Sequence, residues 1–290
     1  MKNQLLLFLF LITIPWQTIF AQENKILKDK EKTFEAKETS EKHQILSDRF
    51  HFEIGLFVPS KKIKIGANGS VPNQDYDFGN SFHLNDNEST LFLHFEWYFT
   101  KKWKFSVENF SIKNANKVEL EEDIIWEDIV FKEGSSVRAG YGINLYRIYV
   151  GRTFSKGLKH EFGAGLGVHA LNTNVFIEGN AVINNDEIKF ERRNVSAIIP
   201  LPNIGLWYYY APNSKWAFIA RMDWFSLTIG EYSGSLYDIA SGIKYQVFKN
   251  IGVGVDYRYF FVKAHVNNLD WNGEFNMGFN GPLITVHANF

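Results

Sequence analysis

The stretch "HEFGAGLGVHALN", His160 to Asn172, decides how the rest of the chain is read. Gly163, Gly165 and Gly167 fall on every second position. Phe162, Ala164, Leu166, Val168 and Ala170 fill the positions between. A phosphate-cradling loop needs G-x-G-x-x-G between a strand and a helix, or G-x-x-x-x-G-K-[ST]. Neither spacing is present and no helical period follows. The period is two, as in a strand with one apolar face. The glycines share the other face with Glu161 and His169, where small side chains leave room inside a curved sheet.

The same alternation recurs along the chain. "FHFEIGLFV" sets Phe50, Phe52, Ile54, Leu56 and Val58 against His51, Glu53 and Gly55. "LFLHFEWYF" sets Leu91, Leu93, Phe95, Trp97 and Phe99 against His94, Glu96 and Tyr98. "WAFIARMDWF" opposes Trp216, Phe218, Ala220, Met222 and Trp224 to Arg221 and Asp223. "IGVGVDYRYFF" opposes Val253, Val255, Tyr257 and Tyr259 to Gly252, Gly254, Asp256 and Arg258. Around "GYGINLYRIYVG" the apolar phase slips between Ile143 and Tyr146, which predicts a bulge near Asn144.

Short turns ("TKKWK", "SKGLK", "APNSK", "FKN") alternate with longer polar stretches near 67–80, 113–128, 172–190 and 264–276. An antiparallel meander then has short turns at one end and long loops at the other, as membrane barrels do. The segments count to ten strands, roughly 50–66, 80–100, 103–120, 128–155, 159–175, 188–211, 215–229, 233–247, 250–264 and 274–290. Eight or twelve also fit the pattern.

The ends bound the location. Lys2 and the apolar run Leu5–Ile14 read as a secretory signal, cut after Ala21. Gln22–Arg49 is dense in Lys and Glu and reads as a polar, flexible leader. The expected domains are therefore 1–21, 22–49 and a barrel over 50–290. The chain has no cysteine, which excludes disulfides, thiol catalysis and thiolate metal sites. Its net charge of −1 argues against a nucleic-acid partner.

Aromatic residues make up 17% of the chain, more than one ordinary core needs. Trp97, Phe99, Trp103, Tyr208, Tyr210, Trp216, Tyr245 and Phe248 gather beside the short turns, where strands cross the headgroup level of a bilayer. A strand in lipid must satisfy every backbone group within the protein, which only a closed barrel does. The fold class expected is all-β, a transmembrane antiparallel up-and-down barrel.

With its signal, its alternating segments and its terminus "ITVHANF", the chain resembles the small outer-membrane β-barrel proteins of Gram-negative bacteria, porin-like and OmpA-like. The stretches "PLPNIGL" and "FNGPLITVHANF" are similar to an uncharacterised group of them. The resemblance implies an outer-membrane location with membrane lipids as partners and is nearly silent on activity; small polar solutes are partners only if the interior is a pore. It also implies that Ile284, Val286, Ala288 and Phe290 form the signal read by the barrel-assembly machinery. Ala288 is smaller than the usual residue there.

Candidate lumen-lining residues are Glu53, Glu96, Glu161, Arg221, Asp223, Asp256 and Arg258. If they pair, the interior is sealed. If they do not, they line a narrow pore. The first reading is a structural or narrow-pore barrel with this lumenal charge network; the alternative is a sealed barrel that acts through its outer loops as a binding or adhesion protein. No H-E-x-x-H or other metal spacing occurs, and His94, His169 and His287 read as hydrogen-bonding residues of the polar face. The acidic run Glu119–Glu133 lacks the glycine turn of a calcium loop and reads as solvated. No nucleophile stands beside a positioned base, so the expectation is no enzyme, no cofactor and no metal. A lipid-modifying enzyme stands third.

Overall fold

The computed structural model describes residues 42–68, 75–76, 82, 84, 89–126, 129–183, 187–267 and 272–290. The signal segment and the leader up to Glu41 lie outside the described residues. The strands are β1 (Phe50–Phe57), β2 (Ser60–Asn68), β3 (Asp75–Tyr76), β4 (Thr90–Tyr98), β5 (Trp103–Glu119), β6 (Ile124–Trp126) and β7 (Ile129–Phe131), then β8 (Ser136–Lys156), β9 (His160–Ile183), β10 (Glu187–Tyr210), β11 (Trp216–Ile229), β12 (Tyr232–Gln246), β13 (Ile251–Asn267) and β14 (Asn272–Asn289).

Ten of them close an antiparallel barrel in the order β1, β4, β5, β8 to β14, with β14 returning to β1 through pairs such as Ile54–Val286. β2 continues the β1 register on β14 beyond Val58 and Pro59. The short β3, β6 and β7 decorate the end with the longer connections.

The short turns are built by local chemistry. Asn213 Oδ1 accepts from the amides of Lys215 and Trp216, each at 2.9 Å, and Thr100 Oγ1 does the same for Lys102 and Trp103. Both are side-chain-closed turns. At the other end Gly230, at φ 58°, lets a two-residue loop join β11 to β12. Arg49 and Phe50 donate to the carbonyl of Phe290 at 2.9 and 2.8 Å, which ties the barrel's first and last strands together at the short-turn end.

The outward face carries a belt of exposed apolar and aromatic side chains. On β9 it runs from Phe162 to Ala170, on β11 from Trp216 to Trp224, on β13 from Ile251 to Tyr259. Nine residues is what a tilted strand needs to cross hydrocarbon. Leu166 at 67% exposure and Val255 at 59% would be an aggregation surface in water and are at home in lipid.

Above this belt the pattern inverts. On β8, Tyr146, Ile148 and Val150 point out, whereas Tyr141, Ile143 and Leu145 point in. The ladder runs through Asn144 without a shift, and the irregularity lies between Thr153 and Ser155. The bulge expected near Asn144 is therefore absent. The apolar residues change side there because lipid outside the wall gives way to water. Beyond that level the hydrophobic face turns inward, and Phe57, Phe110, Leu171, Leu201, Phe260, Phe279 and Leu283 pack as one apolar core.

At the opposite end a short helix, α1 (Gln44–Ser47), packs Ile45 and Leu46 against Tyr149, Trp207, Tyr209, Ala211 and Ala217. The last residues of the polar stretch thus fold with the barrel, which forms one compact unit from His43 onward. Composition hid this because one Ile-Leu pair supplies the whole contact. His43 caps the helix, its Nδ1 accepting from the Ile45 amide at 3.1 Å.

The three glycines of the opening stretch make room for inward aromatics. A Cβ at Gly163 would occupy the space of the Trp207 indole, and one at Gly165 would collide with the Val150 carbonyl. Tyr149 uses that room to donate to the Gly205 carbonyl at 2.9 Å.

Candidate functional site

Between the helix cap and the apolar core, the ten barrel strands contribute polar side chains to one layer. Alternation puts them there: residues two apart share a face, so each belt residue is flanked by inward-facing neighbours.

Asp223 (β11) holds Arg147 (β8) in a two-point pair, Nε–Oδ2 2.5 Å and Nη2–Oδ1 3.0 Å. Asp238 (β12) holds Arg258 (β13) at 2.9 and 2.6 Å and Arg221 (β11) at 3.1 Å. Glu108 (β5) bridges the same two arginines, at 2.7 Å to Arg221 and 2.5 Å to Arg258. His169 sits against Asp238 at 3.2 Å and Asn203 at 3.1 Å. Next to this cluster, Lys244 Nζ lies 2.8 Å from both Glu53 and Asp256.

Nearer the helix, Lys104 pairs with Glu96 at 2.7 Å and lies 3.9 Å from the Trp207 ring centre. Glu161 accepts from Tyr98 and from Trp207 Nε1, and pairs with Lys156 at 2.5 Å. Six cations (Lys104, Arg147, Lys156, Arg221, Lys244, Arg258) thus face seven carboxylates (Glu53, Glu96, Glu108, Glu161, Asp223, Asp238, Asp256). In so dry a place an unpaired charge costs several kcal/mol, so mutual neutralisation is what makes the layer tolerable.

All seven residues singled out from the sequence lie in this layer. Their partners Lys104, Glu108, Arg147, Asp238 and Lys244 escaped notice, although a signal existed. Asp238 and Lys244 alternate with the belt residues Tyr237, Ile239, Ile243 and Tyr245, so strand parity already put them on the inner face. Of the three histidines, His169 hydrogen-bonds as described, His94 Nε2 is 3.1 Å from Ser106, and His287 Nε2 is 3.4 Å from Gln246. Ile284 and Val286 are exposed on the outer face of β14, and Phe290 is exposed just past its end.

Ligand atoms of His169, Asp223 and Asp238 come within 4.8 Å of one another, close enough to hold a metal. The fit is poor, because Arg147, Arg221 and Arg258 already occupy those carboxylates and repel a cation. A hollow of about 60 Å³ lies among Glu53, His94, Glu96 and Asp256, with Ile45, Phe92, Ile219 and Leu283 also in its wall. It has room for water molecules rather than a sugar-sized solute.

A closed ten-stranded barrel with an apolar outer belt and a charged interior is an outer-membrane-type β-barrel. A solved structure agrees at the level of fold. The outer membrane protease OmpT from Escherichia coli is similar with a TM-score of 0.55 at 11% identity, over 84% of this chain and 97% of that one. The toluene transporter TodX of Pseudomonas putida matches at TM-score 0.38 and 9% identity, over 84% and 90% of the two chains. The attachment invasion locus protein Ail of Yersinia pestis matches at 0.27 and 9%, over 84% and 99%. No family model and no curated protein sequence matches.

One expectation is corrected by the first of these. The chain's lack of a linear catalytic motif pointed away from an enzyme, yet a barrel of this fold is a protease. Strands distant in sequence meet across a barrel, so a catalytic set can assemble there without leaving a motif.

Proposed function

We propose that this chain is exported by a signal cleaved after Ala21 and delivered to the assembly machinery by its terminal strand, with Ile284, Val286, Ala288 and Phe290 as the signal. In the outer membrane it stands as a barrel sealed along its axis and works through its outer end, binding a partner at the cell surface. The observation that carries this reading is the pairing of the interior charges. Every one of the six cations lies within 2.8 Å of a carboxylate, across a layer that spans the barrel. A conducting path for polar solutes, the narrow-pore reading, would have to break several of these pairs at once.

Two further features support sealing. The aromatic cap under α1 covers the short-turn end, and the apolar core fills the other half. The outer end as working surface is supported by strand length. β8, β9 and β10 are 21, 24 and 24 residues long, so about half or more of each extends past the nine-residue belt. Liposome swelling tests the reading. Vesicles carrying the refolded protein should not swell in a small sugar, and swelling at porin-like rates would reject it.

A further inference from the structure

The barrel wall is not continuous at its outer half. β10 pairs with β9 along its whole length, from Glu187–Ile183 to Tyr210–His160. Its other edge pairs with β11 only from Ile204–Trp224 to Tyr210–Phe218. Both strands run on past Ile204 and Trp224, β10 back to Glu187 and β11 on to Ile229, yet among the described residues no ladder joins them there. Pro200 and Pro202 sit on β10 where the ladder stops. Neither has an amide hydrogen to give to a neighbouring strand.

The two lips of this seam are apolar. Ile198, at 75% exposure, Ile199 and Leu201 form one, and Phe225 and Leu227 the other. Leu227 has the parity of an inward residue but is 45% exposed, as expected where the wall opens. Of these, Leu201 belongs to the apolar core of the barrel's outer half, and Ile199 and Phe225 pack against it, so the lips are continuous with that core. The seam begins at the outer edge of the lipid belt, one residue pair beyond Trp224.

We propose that this seam admits a hydrocarbon chain of the outer leaflet, giving the apolar interior a lateral connection to lipid while the axis stays closed. The position selects the occupant. The seam adjoins the belt, so lipid tails reach it without crossing water. A peptide strand is the competing occupant of an open edge, but the two prolines remove the donors that strand addition needs.

The test uses vesicles of phosphatidylethanolamine and phosphatidylglycerol doped with a phosphatidylcholine whose acyl chain carries a mid-chain diazirine. After irradiation, adducts are mapped by mass spectrometry. Inward-facing Leu201, Phe225 and Leu236 should be labelled alongside belt residues such as Leu166 and Val255. Two variants should reduce the inward labelling at least tenfold and leave the belt labelling intact. In one, Pro200→Val with Pro202→Val restores the donors so that the ladder can extend. In the other, Ile198→Cys and Thr228→Cys are joined by a short bis-maleimide, with the unjoined form as its own folding control. The absence of native cysteine makes that bridge specific. Labelling confined to the belt in the unmodified protein would overturn the proposal. So would inward labelling that neither variant changes.

Discussion

Arg147 on β8 and Asp223 on β11 meet through two parallel hydrogen bonds, although β9 and β10 lie between their strands in the sheet. The pair therefore reaches across the interior rather than along the wall. It is a tie rod between two barrel strands three places apart, and its energetics are those of a buried ion pair. Removing one partner leaves an uncompensated charge, which costs about 3–5 kcal/mol. Asp223→Ala should destabilise the barrel by about that amount in urea unfolding from vesicles. Arg147→Met combined with Asp223→Leu should recover most of the loss, because two apolar side chains need no solvation. Equal losses in the single and double variants would contradict this account of the layer.

The lipid belt makes a second prediction. Leu166 sits mid-belt on β9 and is among its most exposed apolar residues. Leu166→Arg should cost about 2–4 kcal/mol in the same unfolding assay, and the same change near the belt's edge about 0–1. A position-independent penalty would mean that the outward face does not meet hydrocarbon.

The glycine row makes a third. Gly163→Leu would drive a side chain into the indole of Trp207 and displace it from Glu161. Overpacking of this kind costs about 1–3 kcal/mol. The near-ultraviolet dichroism of Trp207 should weaken, and the folded form should lose its resistance to unfolding in detergent at a lower temperature. An unchanged melting profile would show that the glycines do not serve these rings.

The cap at the short-turn end should respond to acid. Burial, helped by the charges of His287 and His51, lowers the His43 pKa from 6.5 to about 4. Neutral His43 accepts the Ile45 amide, and protonation removes that acceptor. A group with a depressed folded pKa binds protons more readily when released. Its contribution to docking is complete above about pH 6.5 and is lost progressively as pH falls towards 4. A nitroxide on Ser47→Cys should become mobile over that window. His43→Asn, which caps without titrating, should flatten the response. Mobility independent of pH in both proteins would refute the role of His43.

The barrel was legible in the sequence because lipid imposes a strict rule. Along Phe162–Ala170 or Trp216–Trp224 every second side chain must be apolar, and the eye finds the period at once. The rule fails where lipid ends. At Ile143–Tyr146 the apolar residues cross to the inner face, which looks in sequence like a bulge and is instead a change of solvent on an unbroken strand. The inner layer was half legible. Asp223 and Arg258 stand out on short alternating segments, whereas Arg147 sits in the stretch where the apolar residues change side. The pairing itself joins residues far apart in the chain, 113 positions between Glu108 and Arg221 and more between Glu53 and Lys244, and only the closed barrel reveals it.

Planar-bilayer conductance of the refolded mature chain tests the sealed axis most directly, with Arg221→Ala measured beside it. The account predicts no discrete steps from folded wild-type protein. Arg221→Ala removes a side chain that joins Glu108 to Asp238, and it should introduce small, irregular openings. Regular wild-type steps that change size in the variant would contradict the account and make Arg221 part of an open path.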